Sequence, residues 1–219
     1  IMGLLAEYPV VLDAIKEAED KTGRKCIKID TPILNVEDSD QARGEAEALL
    51  DRVAAAEVDI CLPHHSCVEQ LLDKGNRKIH RLPDYLKMIR DRNMIPGLSA
   101  HMPEVVLYAD LNDYDVETYI QIYNCLGFLM QLEVEWIAQI IQNAKKPVIT
   151  IKPLAAGRTT PFVGLNFVWN TIREQDMVTI GTMTPQEARE VVEMSRAVLE
   201  RRFPNIAKRA TPRKDEDAQ

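Results

Sequence analysis

The chain has 219 residues, 46% hydrophobic and 28% charged, and its 27 Lys and Arg against 34 Asp and Glu give a net charge of −7. That length suits one large domain or two small ones, with enough apolar material for a substantial core. The acidic balance speaks against a nucleic-acid partner, which calls for a basic face, and no apolar run reaches the roughly 18 residues of a membrane span.

The class left is a cytoplasmic protein handling a small molecule, with nothing in the sequence to set its oligomeric state. Cys26, Cys61, Cys67 and Cys125 are scattered without a Cys-x-x-Cys pair. They read as small buried hydrophobes in a reducing compartment. No signal-peptide pattern is seen. The chain opens at Ile1 and the spacing predicts a helix almost at once, so an N-terminal portion is expected to be missing.

In Tyr8–Thr22, Val11, Leu12, Ile15 and Ala18 recur at helical spacing, and Thr22-Gly23 supplies the stop. Residues 24–30 read as a strand that Thr31-Pro32 breaks. Asp38-Ser39-Asp40 offers a cap for a helix burying Ala42, Ala46, Leu49, Leu50, Val53 and Ala54. Residues 58–64 are the next strand, and 73–83 a charged loop. A helix from Leu82 to Asn93 carries Tyr85, Leu86, Met88 and Ile89, and leads into the strand Ile95–His101. Helices follow from Pro103, over 133–144 and over 161–174, with strands at 118–124, 147–152 and 177–181. Thr184-Pro185 caps a last long helix with Val191, Val192 and Val198 on its buried face. Residues 1–203 form the domain, and 204–219 a polar tail with little to bury.

The order is one helix, then strand and helix six times. Strict alternation means parallel strands joined by helical crossovers. The strands are nearly all apolar, as expected when both faces are covered. An open doubly wound sheet competes with a closed (β/α)8 TIM barrel. No Gly-x-Gly-x-x-Gly opens a helix, which removes the main support for the first. A barrel needs eight units, so the chain reads as a TIM barrel whose first two strands are not seen.

In a barrel the strand C-termini meet at one mouth. Lys28 and Asp30 share parity, so both are expected to face that mouth as a proton-transfer pair, with Ile27 and Ile29 facing the helices. A solvated ion pair is the competing reading. His64 and His65 end the next strand, one facing the mouth and one the helices, and His101 ends the one after. Histidines there can donate to a carbonyl, act as acids or bind a metal. With Asp30 they make a possible ligand set for a metal-dependent hydrolase or isomerase, although no His-x-His pair or helix-borne zinc spacing is present. Lys152 ends an apolar strand, where it could bind an anion or form a Schiff base. Gly181-Thr182, just before a helix N-terminus, sits at a natural anion site.

Several of these stretches, in this order, resemble the aldo-keto reductases. Ile89–His101, with Gly97-Leu98-Ser99-Ala100-His101 at its end, resembles their fifth-strand segment. Asp59–His64 is similar to their fourth strand, which ends in the catalytic histidine. Tyr123-Asn124 resembles their sixth-strand Tyr-Asn, Lys152-Pro153-Leu154-Ala155-Ala156-Gly157 their seventh-strand loop, and 180–190 their eighth strand and helix start. The resemblance spans about residues 24–200. It implies an oxidoreductase that reduces or oxidises a small carbonyl or alcohol with NAD or NADP. His64 would contact the substrate carbonyl, and Ser99, His101, Asn124, Lys152, Pro153, Leu154, Gly181 and Thr182 would line the cofactor. Lys28 or Asp30 falls where the family has a third-strand lysine. The family's catalytic tyrosine and aspartate lie near a second strand that the sequence does not show. Glu187 aligns with the arginine that grips the 2′-phosphate of NADP, and Gly181 with its lysine neighbour. These departures keep open a catalytically degenerate barrel acting as a binding module.

Overall fold

A computed structural model describes residues 2–206. Seven parallel strands form one sheet in the order β1 (Met2–Gly3), β2 (Ile29–Asp30), β3 (Ile60–Cys61), β6 (Ile95–Ala100), β7 (Thr118–Ile122), β8 (Val148–Ile151) and β9 (Met177–Val178). Helices follow the strands: α1 (Pro9–Thr22), α2 (Asp40–Ala55), α3 (His65–Val68), α4 (Leu82–Arg90), α5 (Glu104–Leu111), α6 (Val134–Asn143), α7 (Pro161–Thr171) and α8 (Pro185–Leu199). The sheet curls: beyond β9 the Thr179 hydroxyl comes to 4.0 Å from the sulfur of Met2 in β1. The architecture is an α/β half-barrel of seven strands, and a closed eight-stranded barrel is not seen among the described residues.

Three expectations need correction. The chain opens on a strand, not a helix: Met2 and Gly3 pair with Ile29 and Asp30. Two residues are too few to show a period, so nothing in the sequence marks them. The charged segment 73–83 is no plain loop, because Leu72–Asp73 (β4) and Lys78–Ile79 (β5) pair as a small antiparallel hairpin. Asp73 builds its turn, accepting from the Asn76 backbone at 3.0 Å and side chain at 2.7 Å. The strands expected at 24–30, 58–64 and 177–181 shrink to two residues each, Ile29–Asp30, Ile60–Cys61 and Met177–Val178.

Local chemistry explains the helix ends. Ser39 accepts from Ala42 N–H at 3.1 Å, and Thr184 from Glu187 N–H at 3.1 Å, satisfying amides that have no partner within the helix. Gly23 ends α1 at φ 64°, a conformation glycine adopts without strain.

Two cores result from strand alternation. Outward side chains such as Cys61, Leu98, Ala100, Tyr119 and Val148 pack with the helices. Inward ones form a separate cluster of Leu62, Ile120 and Ile149, joined by Met2, Ile29, Ile60 and Ile151. Gly97 faces this inner cluster, since a Cβ there would sit 2.7 Å from Leu62 Cδ2. At the far end, residues 204–206 fold onto α8, with Asn205 N–H donating to Glu193 at 2.7 Å. The remainder of the expected tail, 207–219, lies outside the described residues.

Candidate active site

The inner cluster fixes which side chains reach the mouth. His64 shares parity with Ile60 and Leu62, and Ser99 and His101 share it with Gly97. Ser99 is buried at the inner wall, with no side-chain hydrogen bond among the described residues. At the rim, His101 stacks on His65 with ring centroids 3.6 Å apart and planes 17° apart. His65 in turn lies 4.1 Å from His64. Thus all three histidines gather at the mouth, and the expectation that one of the pair would face the helices is corrected. The reason is that the chain turns into α3 straight after His64, which swings His65 back over the strand ends.

His64 is held by the turn it starts. Its Nδ1 accepts from Ser66 N–H at 3.3 Å and lies 2.8 Å from Ser66 Oγ. A ring nitrogen that accepts a backbone N–H carries no proton. In the neutral ring the proton therefore sits on Nε2, and Ser66 selects this tautomer. Burial, reinforced by His65 and by the positive charge of Lys152, pushes the His64 pKa below the usual imidazole value. The ring is thus a neutral Nε2–H donor. His101 is pushed further, to about 4, by burial and then by His65, against the pull of Glu69.

Lys28 and Asp30 lie elsewhere: they share a face as expected, but it is the outer one. Ile29 is the inward residue, so its two neighbours point out. Lys28 Nζ pairs with Glu57 at 3.2 Å, before β3 begins and at the end of the strands away from the mouth. Asp30 is buried and accepts from Ala6 N–H at 2.9 Å, with burial raising its pKa. The structure does not bring this pair together with the histidines as a proton relay. The alternation was assigned to the wrong face: the charged Lys28 and Asp30 lie on the outer side, where Glu57 and the Ala6 amide meet them, and Ile29 joins the inner cluster.

The expected cofactor residues divide into two groups. Lys152 follows β8 at φ 58°, close enough that its charge depresses the pKa of both His64 and His101. Pro153 is buried and Leu154 half-buried, and Ala155, Ala156 and Gly157 continue the loop at φ 49°, 55° and 81°. Asn124 is turned mainly to its own loop, with one of its two amide hydrogens left over. Its Oδ1 accepts from Leu126 N–H at 3.2 Å and Phe128 N–H at 2.9 Å, and its Nδ2 donates to Phe128 O at 3.0 Å. Gly181 and Thr182 are exposed. Beside them, Glu187 accepts from Met183 N–H at 2.8 Å, so a carboxylate already stands at the α8 N-terminus.

Among the described residues no group of three or more His, Cys, Asp or Glu is arranged to hold a metal ion. The stacked rings of His65 and His101 lie face to face and do not aim their nitrogens at one point. Sequence reasoning missed Glu69, which accepts from His101 N–H at 2.6 Å and Met102 N–H at 2.8 Å. Nothing in its neighbourhood marks it, because it reaches this site only through the fold.

A mouth of this kind, on a curled parallel sheet with the helices outside, is the arrangement of barrel enzymes, in which strand ends carry the chemistry. The fold is also that of a known group. A Pseudomonas aeruginosa protein described as a candidate aldo-keto reductase aligns over 90% of this chain and 76% of its own, with a TM-score of 0.60 and 17% identity. A second structure of a Pseudomonas aeruginosa candidate aldo-keto reductase gives 0.59 over the same shares, also at 17%. The chain therefore has an aldo-keto-reductase-like fold. No protein-family model matches the sequence, and no curated protein does. Among the described residues no helix is long and apolar enough to cross a membrane.

Proposed function

We propose that this protein is an aldo-keto-reductase-like oxidoreductase acting on a small carbonyl or alcohol with a nicotinamide cofactor. The observation that carries the reading is His64, held at the mouth as a neutral imidazole with its Nε2–H free to donate. Such a donor polarises a carbonyl without a charge of its own that water must solvate. Cofactor fit is good at one end and poor at the other. Inward-facing Ser99 suits the nicotinamide amide, and Lys152 beside the histidines brings a positive charge for phosphates. Asn124 has its acceptor and one of its two donors spent on its own loop, and Glu187 would repel a 2′-phosphate, which favours NAD over NADP. A bound nicotinamide would supply the hydride.

The proton donor in this reading is Tyr8. The resemblance implies a tyrosine a few residues past a second strand. With β2 and β3 in the places of the third and fourth strands, β1 takes the place of the second, and Tyr8 follows it at the N-terminus of α1. Tyr8 is 55% exposed and has no side-chain hydrogen bond among the described residues, so it is free to meet a substrate. Gly3 stands where an aspartate would end that strand. The acid beside it in register is Asp30, which holds the turn before Tyr8 through Ala6.

Rates of NADH-dependent reduction over a panel of small aldehydes and ketones test this. His64→Gln and Tyr8→Phe are each expected to lower kcat/KM by about 10²–10⁴-fold. Turnover undiminished in both variants would defeat the assignment. The glycine at the end of β1 favours a second reading, a barrel that binds a small molecule without turning it over. Tight NADH binding without any turnover over the panel would select it.

A further inference from the structure

Glu69 lies outside every motif, yet it contacts more of the mouth than any other acid. It follows α3 in the chain and reaches across to the end of β6. One carboxylate oxygen takes the N–H groups of both His101 and Met102, at 2.6 and 2.8 Å. The other stands 3.6 Å from Nδ1 of His65, just beyond hydrogen-bond range. That Nδ1 is buried and has no hydrogen-bond partner. The Glu69 side chain is only 14% exposed, and such a carboxylate is held in place when it accepts two amides.

We propose that Glu69 is a positioning residue for the mouth histidines. It locks the end of β6 against the turn after β3, so that His101 stacks on His65 and His65 packs against His64. Its second oxygen stands 3.6 Å from His65 Nδ1, and a small ring movement would bring the two into a charge-assisted hydrogen bond. The inference rests on the proposed function only for what the stack does, namely holding the His64 donor still from behind. The groups facing the stack are few. His64 comes from the end of β3, Lys152 from the end of β8, and Gln121 of β7 donates to His101 O at 3.4 Å. Lys74, paired with Glu104 at 2.6 Å, feels the Glu69 charge from the β4–β5 turn.

The test is a histidine-ring NMR titration of the unmodified chain, Glu69→Gln and Glu69→Ala. Exposed His80, paired with Asp73 at 3.1 Å, serves as the internal reference. In the unmodified chain the His65 and His101 ring protons are expected to be shifted upfield by each other. Glu69→Gln keeps an acceptor oxygen for both amides, so those shifts stay, while the His101 midpoint falls because a nearby negative charge is gone. Glu69→Ala should lose the upfield shifts, and kcat should fall by up to about 10²-fold with KM little changed. Unchanged ring shifts in Glu69→Ala, or an unchanged His101 midpoint in Glu69→Gln, would overturn the proposal. If Glu69→Ala fails to fold, the Gln variant alone decides. Should the unmodified protein turn nothing over, the reductase reading fails while the NMR outcome still judges Glu69.

Discussion

Replacing Gly97 by alanine tests the geometry on which the mouth depends. The added methyl would lie 2.7 Å from Leu62 Cδ2, 2.9 Å from Leu62 Cγ and 2.7 Å from the Thr118 carbonyl oxygen. Carbon contacts are comfortable at about 3.5–4.0 Å, so close to 1 Å must be found. Leu62 cannot easily give way, because Ile120 and Ile149 fill the space beside it. The Thr118 carbonyl belongs to the β6–β7 ladder, where Gly97 and Thr118 are partners. Overpacking of this kind costs about 1–3 kcal/mol. At about 2–4 °C per kcal/mol for a chain of this size, the melting temperature should fall by roughly 2–12 °C. Circular-dichroism melts read it directly. Gly44 gives an internal contrast, since a Cβ there meets nothing within 4 Å on the exposed side of α2. Gly44→Ala should raise stability by about 1 kcal/mol, because alanine is the better helix former. A Gly97→Ala protein melting at or above the parent temperature would mean that Gly97 does not face the inner cluster. Ser99 and His101, which share its parity, would then not face the mouth.

Other outcomes follow from single sites. Asp176 is buried, accepts from Val148 N–H at 2.8 Å, and is gripped by Arg173 at 2.7 and 2.9 Å. Asp176→Ala leaves that amide and guanidinium unpaired and should cost about 3–5 kcal/mol in urea unfolding. Ala156 sits at φ 55°, so Ala156→Gly should gain about 0.5–1 kcal/mol by the same assay, the left-handed penalty less the entropy of glycine. His101 takes up its proton only near pH 4 when folded but near 6.5 when unfolded, so the unfolded chain binds more protons between those values. Stability should therefore be fully present above about pH 6.5 and decline as pH falls toward 4, by on the order of 1–2 kcal/mol after allowance for solvent screening. His101→Gln should flatten that slope. Glu187→Arg removes the carboxylate at the α8 N-terminus and should strengthen NADPH binding relative to NADH.

The alternation of apolar strands and amphipathic helices was readable because each helix buries one stripe, as Ala42, Ala46, Leu50 and Val53 do in α2. The strand ends at His64, Ser99, His101 and Lys152 were readable too, since polar residues break off apolar runs there. Which face of β2 looks inward was not. Ile27, Lys28, Ile29 and Asp30 alternate cleanly, but both faces of the sheet are covered, so only the placement of Ile29 in the inner cluster decides which side is inward. Met2-Gly3 was too short to carry a pattern, and that omission hid the place of Tyr8 in the order of elements. Asn124 looked like a ligand contact because its motif fits one. Its role as the hub of residues 124–128 depends on backbone groups that no side-chain pattern encodes.

The central claim is that the mouth takes a nicotinamide cofactor beside a neutral His64. A calorimetric titration of the purified protein with NADH and, separately, NADPH tests it most directly. Saturable one-site binding of NADH, with NADPH bound more weakly because of Glu187, is the predicted result. Failure of either dinucleotide to bind at millimolar concentration would contradict the claim.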